Sequence, residues 1–207
     1  KFAGDSKDTV GDDTYWEGRY NYNYSQVVKE LTAVNDANGA NATTLKTAVD
    51  QLQAKGGTQT QNGLNHAQRL LKNVDSARDS SKVVIVFTDG MPGNSGFDAS
   101  VATSAIASAK SMKDAGVTVY TVGIFTGANV DQLYGNTGFS INSNGSVGSY
   151  WANKNTSKGI DVPAGNRFLN YVSSNFKAAS EIGLKDYKDE HWFSADYYGW
   201  EVTQNFT

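Results

Sequence analysis

Val83-Val84-Ile85-Val86-Phe87-Thr88-Asp89-Gly90 is an apolar run that ends abruptly in a carboxylate and a glycine. Such a run suits a strand buried on both faces, as in a parallel sheet covered by helices. Asp89 at its carboxyl end falls where open α/β sheets place their ligands, in the crevice outside the strand ends. Upstream, Gly56-Gly57-Thr58-Gln59-Thr60 stands just before a helical pattern and can turn a hydroxyl toward the same crevice. A hydroxyl and a carboxylate are both hard oxygen donors, which suit a divalent cation such as Mg²⁺. Thr58 and Asp89 are therefore the candidate metal ligands.

Around this strand the pattern alternates. Leu45, Ala48, Val49 and Leu52 recur at helical spacing within 41–55, with Asn41 or Thr43 placed to cap the start and Gly56 the end. A second helix is predicted over 61–73, burying Leu64, Ala67, Leu71 and Val74. A third, over 99–115, puts Ala102, Ala105, Ile106, Ala109 and Met112 on one face, and Gly116 stops it. Val117 to Ile124 reads as the next strand. Strand, helix, strand and helix in alternation predict an α/β fold with a doubly wound, mostly parallel sheet flanked by helices.

The remaining segments are less regular. Lys1-Phe2-Ala3-Gly4 reads as the end of a strand, and 26–34 as a short helix or strand. Residues 5–24 lack a period and read as a loop or extended excursion, acidic first and then aromatic. A second Gly/Asn/Ser-rich surface loop is expected over 136–166. A short helix follows over 167–174 with Phe168, Leu169 and Val172 inward, and the aromatic, acidic tail ends in a possible strand near 200–206. The whole, 1–207, reads as a single domain with two loop insertions.

Bulk properties narrow the function classes. A net charge of -3 with a pI near 5.3 gives no basic footprint for nucleic acid. No apolar stretch approaches the length that spans a bilayer, so no membrane insertion is expected. The absence of cysteine excludes disulfide scaffolds and zinc–thiolate sites. Only two histidines, His66 and His191, are present. His66, beside the inward Ala67, reads as a surface or boundary residue. No nucleophile, base and orienting group stand out as a set, so the chain is expected not to be an enzyme.

Gly56-Gly57-Thr58-Gln59-Thr60, the Val83–Gly90 strand and the strand over 117–125 resemble a von Willebrand factor type A domain, over most of residues 1–182. Phe2-Ala3-Gly4, the aromatic insertion and the Arg167–Ala179 segment look most like the tip adhesins of Gram-positive sortase-built pili. The resemblance implies a metal-ion-dependent adhesion site in which Thr58 coordinates Mg²⁺ (or Mn²⁺ or Ca²⁺) directly and Asp89 directly or through water. A partner carboxylate would fill the open position. The family's Asp-x-Ser-x-Ser motif is not in this chain; Asp98-Ala99-Ser100-Val101-Ala102 is the nearest string, with alanine at its last position. The resemblance thus implies a fragment lacking its first strand and helix, with weakened or absent metal binding.

The function implied is adhesion at a Gram-positive cell surface or pilus, extracellular, to a host matrix or cell-surface protein. Other pilus subunits or the missing part of the same domain are further expected partners. Tyr15, Trp16, Tyr20 and Tyr22 are the candidate ligand-binding residues, since exposed aromatics add contact area at small entropic cost. Plainer readings stay open. Thr58 and Thr60 can simply cap a helix, Asp89 can serve a turn, and the tyrosines can pack the insertion onto the sheet. A structural or assembly domain of the same fold, with no need of metal, is the alternative function, and a Mg²⁺-dependent hydrolase a third.

Overall fold

The computed structural model describes residues 1–8, 10–11, 13–74, 81–88, 91–94, 96–124, 138–142, 146–151 and 162–174. Strand β3 (Val83–Thr88) and strand β4 (Thr118–Gly123) form a parallel pair, with Val84 opposite Val119 and Phe87 opposite Val122. Helix α3 (Ala99–Asp114) is the crossover between them. The fold is α/β and Rossmann-like, as the alternation predicts.

Helix α3 forms where its sequence places small side chains at helical spacing. Ala102, Ala105, Ile106, Ala109 and Met112 are all buried, as is Val101. Asp98 caps its start, accepting from the Ser100 and Val101 amides at 2.8 and 3.2 Å. Gly116, at φ +78°, follows its last turn in the left-handed conformation that glycine tolerates. Helix α2 (Thr60–Lys72) packs on α3, with Leu64 buried and Ala67 and Leu71 partly so against the core. Helix α4 (Val162–Val172) buries Phe168, Leu169, Tyr171 and Val172 against α3 and β4. Lys113 on α3 donates to the Tyr171 and Ser173 carbonyls at 3.0 and 2.9 Å, satisfying acceptors at the end of α4.

Several expectations are corrected. Among the described residues the β3 run is covered on one face only: Val86 and Thr88 face the core, whereas Val83, Ile85 and Phe87 are exposed. Among the described residues α2, α3 and α4 cover one side of the pair only. Within the segment read as a loop or extended excursion, residues 14–23 take the extended form, as a hairpin of β1 (Thr14–Glu17) against β2 (Tyr20–Asn23). Gly18, at φ +62°, makes its two-residue turn possible. Residues 26–34 form neither helix nor strand, although Gln26 and Val27 are buried.

Lys1–Gly4 is not a strand; a single parallel bridge joins Ser6 to Ser25 instead. Helix α1 covers only Ala40–Asp50, is preceded by Gly39 without a side-chain cap, and buries Ala42, while Val49 and Leu52 are exposed. Gly56 consequently lies beyond the helix rather than at its end. Part of the expected loop over 136–166 is a second hairpin, β5 (Gly138–Ile141) with β6 (Val147–Trp151), and α4 begins at Val162, earlier than expected. Val147 enters the core beside α3, its amide donating to the Thr103 hydroxyl at 2.9 Å. The expected tail strand near 200–206 lies outside the described residues.

Candidate functional site

The turn Gly56–Thr58 is shaped by two close approaches. Gly56 has φ +101°, and a β-carbon there would overlap the ring of Tyr22. A β-carbon on Gly57 would overlap Asn94. Both glycines are therefore dictated by packing, one by backbone conformation as well. Thr58 then pairs with Gly93 as an antiparallel bridge, its amide donating at 2.7 Å and its carbonyl accepting at 3.0 Å. Gly93 belongs to the loop that follows β3, so Thr58 is fixed at the carboxyl-end rim of the parallel pair, where the sequence places it.

Thr58 is half-buried, and its hydroxyl has no hydrogen-bond partner among the described residues. Thr60, wholly buried, turns its hydroxyl toward the Thr58 carbonyl at 3.4 Å and so closes the start of α2. The two threonines differ in availability: Thr60 is occupied with the helix start and Thr58 is not. Asp89 lies outside the described residues, between the buried Thr88 and the buried Met91.

Beside Thr58 an open cleft of about 440 Å³ is lined by Gln59, Asn94, Gly96, Phe97, Asp98 and Ala99. An amide relay spans its wall, Gln61 donating to Gln59 at 2.8 Å and Gln59 to Asn94 at 2.9 Å. Asp98 is the only ionisable side chain of this lining. Hydrogen bonds from the Ser100 hydroxyl, then the Val101 and Ser100 amides, hold its carboxyl below the usual range despite some burial. Asp98-Ala99-Ser100 is thus a helix cap, which is why it resembles a metal-binding string while serving another end.

The aromatic hairpin is docked directly on the Gly56 turn. The Asn23 amide donates to the Lys55 carbonyl at 3.1 Å, and the Asn23 side chain to the Gln53 carbonyl. Tyr15 stacks on Tyr24 and Tyr22, with ring centroids 4.5 and 5.8 Å apart. The Tyr15 hydroxyl accepts from the Asp5 amide at 2.9 Å and lies against Gly4. Burial raises the Tyr15 phenol above its ordinary value. Lys7 sits 5.0 Å from the Tyr24 ring centre and pairs with Asp13.

The four candidate aromatics consequently separate into two pairs. Tyr15 and Tyr22 are half-buried and anchor the hairpin, whereas Trp16 is 74% exposed and Tyr20 68%. Strand register puts Tyr20 on the Tyr15–Tyr22 face and Trp16 on the other.

His66 is buried rather than at the surface. Its Nε2 lies 3.0 Å from the Ser25 carbonyl and 3.2 Å from the Ser6 hydroxyl. A carbonyl can only accept, so Nε2 carries the proton and serves as a donor. It therefore cannot take the Ser6 proton, and the pair ties the amino-terminal segment to α2. Among the described residues no group of three or more His, Cys, Asp or Glu side chains could hold a metal ion.

The family model of the von Willebrand factor type A domain matches residues 20–145, more than half of the chain. The chain belongs to this family. Type A domains are protein–protein interaction modules, often metal-dependent. No curated protein and no solved structure matches the chain. The family match spans both halves of the candidate site, the Gly56–Thr60 turn and the β3 carboxyl end. Among the described residues no helix is long and apolar enough to cross a membrane.

Proposed function

We propose that this type A domain is an extracellular adhesion module of a Gram-positive cell wall or pilus, binding a host matrix or cell-surface protein. The observation that carries this reading is the Thr58 hydroxyl, without a hydrogen-bond partner among the described residues and held by the Gly93 bridge at the rim to which the sequence also assigns Asp89. A cation held by Thr58 and Asp89 supplies, when bound, an open position for a partner carboxylate. Mg²⁺, Mn²⁺ and Ca²⁺ all suit these oxygen donors, and Mg²⁺ commonly retains several waters in such sites. Two protein ligands make the site weak, because the Asp-x-Ser-x-Ser oxygens are not in this chain. The chain's own contribution is positional: Gly56 and Gly57 let the turn approach Tyr22 and Asn94, and the bridge holds Thr58 in place.

Trp16 and Tyr20 are the exposed aromatics of the proposed contact surface, with Tyr15 and Tyr22 as their support. The function requires no catalysis, and we propose none. The test is binding of immobilised host matrix protein with Mg²⁺ and with EDTA, repeated with Thr58→Ala and Asp89→Ala. Loss of binding in EDTA and in both variants supports the reading.

A second reading has its own support. The inward packing of Tyr15 and Tyr22, and the missing Asp-x-Ser-x-Ser oxygens, favour an assembly domain that packs against pilus subunits or the rest of its own domain without metal. Equal binding in Mg²⁺ and EDTA, unchanged by both substitutions, selects that reading.

A further inference from the structure

The β3–β4 pair leaves one apolar face open. Val83, Ile85 and Phe87 from β3, with Tyr120 and Val122 from β4 and Ile124 just beyond it, are between 39% and 58% exposed. The in-register pairs Ile85–Tyr120 and Phe87–Val122 make these side chains one contiguous patch. The opposite face carries Val84, Val86 and Val119 into the core, so the two faces differ sharply. Parallel strands are ordinarily covered on both sides, and a contiguous exposed apolar patch marks a surface that something covers.

The chain itself leaves the described structure beside this sheet. After α4, the Ser174 amide donates to the Val119 carbonyl at 2.8 Å and the Ser174 hydroxyl accepts from the Val119 amide at 2.8 Å. Val119 thus turns its backbone groups outward from β3, and Ser174 stands on the outer edge of β4, next to Tyr120. Residues 175–207 continue from that point and contain Trp192, Phe193 and Trp200. Near its end, Trp200, Val202, Gln204 and Phe206 fall on alternate positions, three of the four apolar, with Glu201, Thr203 and Asn205 between them. An extended segment with that pattern has one mostly apolar face. Strands lie about 5 Å apart and extended chain advances about 3.3 Å per residue, so reach is not limiting.

We infer that the carboxyl-terminal segment of this same chain, through Trp200, Val202 and Phe206, docks on the open face over Ile85, Phe87 and Tyr120. The segment leaves the sheet at its edge and returns across it, so the cover is intramolecular. A second copy of the chain is the competing occupant, and the experiment separates the two. This inference is independent of the metal site.

The absence of native cysteine makes disulfide trapping clean. In the full chain, Ile85→Cys and Val202→Cys are introduced together, oxidised mildly, and read by non-reducing gel and intact mass. The expected product is a monomer with one internal disulfide in most molecules. Disulfide-linked dimers, or free thiols in a chain whose circular dichroism matches the parent, overturn the proposal. A second variant, Trp200→Ser with Val202→Ser and Phe206→Ser, leaves the sheet residues intact. It should bind an apolar dye such as anilinonaphthalene sulfonate several-fold more than the parent; equal dye binding by the two chains also overturns the proposal.

Discussion

The ring of Tyr22 lies directly on Gly56, so the aromatic hairpin and the turn that presents Thr58 form one packed unit. A Gly56→Ala change meets two obstacles at once, a φ of +101° and the Tyr22 ring. Strain of this kind costs about 1–3 kcal/mol. The expected result is a lowered denaturation midpoint with altered tyrosine signals, whereas Gly18→Ala, with no side chain nearby, should perturb the hairpin turn and leave the Thr58 turn intact. Chemical denaturation with amide spectra of both variants checks this.

Asp98 is predicted to matter through its cap. Asp98→Ala should destabilise the domain by about 1 kcal/mol, with Asp98→Asn keeping most of the cap. Because hydrogen bonds depress the Asp98 carboxyl, its contribution is present above the ordinary carboxylate value and is lost as pH falls through its folded value. Urea midpoints between pH 3 and pH 6 should therefore converge for parent and Asp98→Ala at the acid end.

Lys113 gives a pH dependence of the same sign in an alkaline window. Burial lowers its ammonium to about 8, from 10.5. Between those values the unfolded chain holds more protons than the folded one, so this group makes stability rise with pH across that window. Lys113→Met removes that slope, and the two hydrogen bonds at the end of α4 with it. Unfolding free energies measured at pH 7.5, 8.5 and 9.5 should rise in the parent relative to the variant; parallel curves would refute the assignment.

Phe168 is fully buried where α4 meets α3 and β4. Phe168→Ala should cost about 3–5 kcal/mol, enough to unfold a marginal domain. Phe168→Leu, closer in volume, should remain folded at a lower midpoint.

What the sequence made legible follows from where one residue type has one physical reading. The α3 face was readable because small residues at helical spacing leave few other ways to bury them. The Gly56–Thr58 turn was readable because two adjacent glycines before a helix admit a tight approach that other residues forbid. The open side of β3 was not, since an apolar run records affinity for a core and not how many layers cover it. The β1–β2 hairpin was obscured because β1, Thr14-Tyr15-Trp16-Glu17, puts adjacent aromatics on both faces and lacks the alternation that Tyr20-Asn21-Tyr22-Asn23 shows. Val49 and Leu52 matched a helical stripe, yet the chain leaves helix at Asp50 and neither is buried. His66 was misread because its partners, Ser6 and the Ser25 carbonyl, are remote in sequence.

Mn²⁺ is a paramagnetic stand-in for Mg²⁺ at oxygen sites, and titrating it into the isotope-labelled chain addresses the Thr58–Asp89 centre itself. Amide signals of Gly57, Thr58 and Gly93 should broaden first and recover in Thr58→Ala and Asp89→Ala, while those of α4 stay sharp. Broadening centred instead on Asp5, Asp8 and Asp13, or no selective broadening at all, would contradict a cation site at this rim.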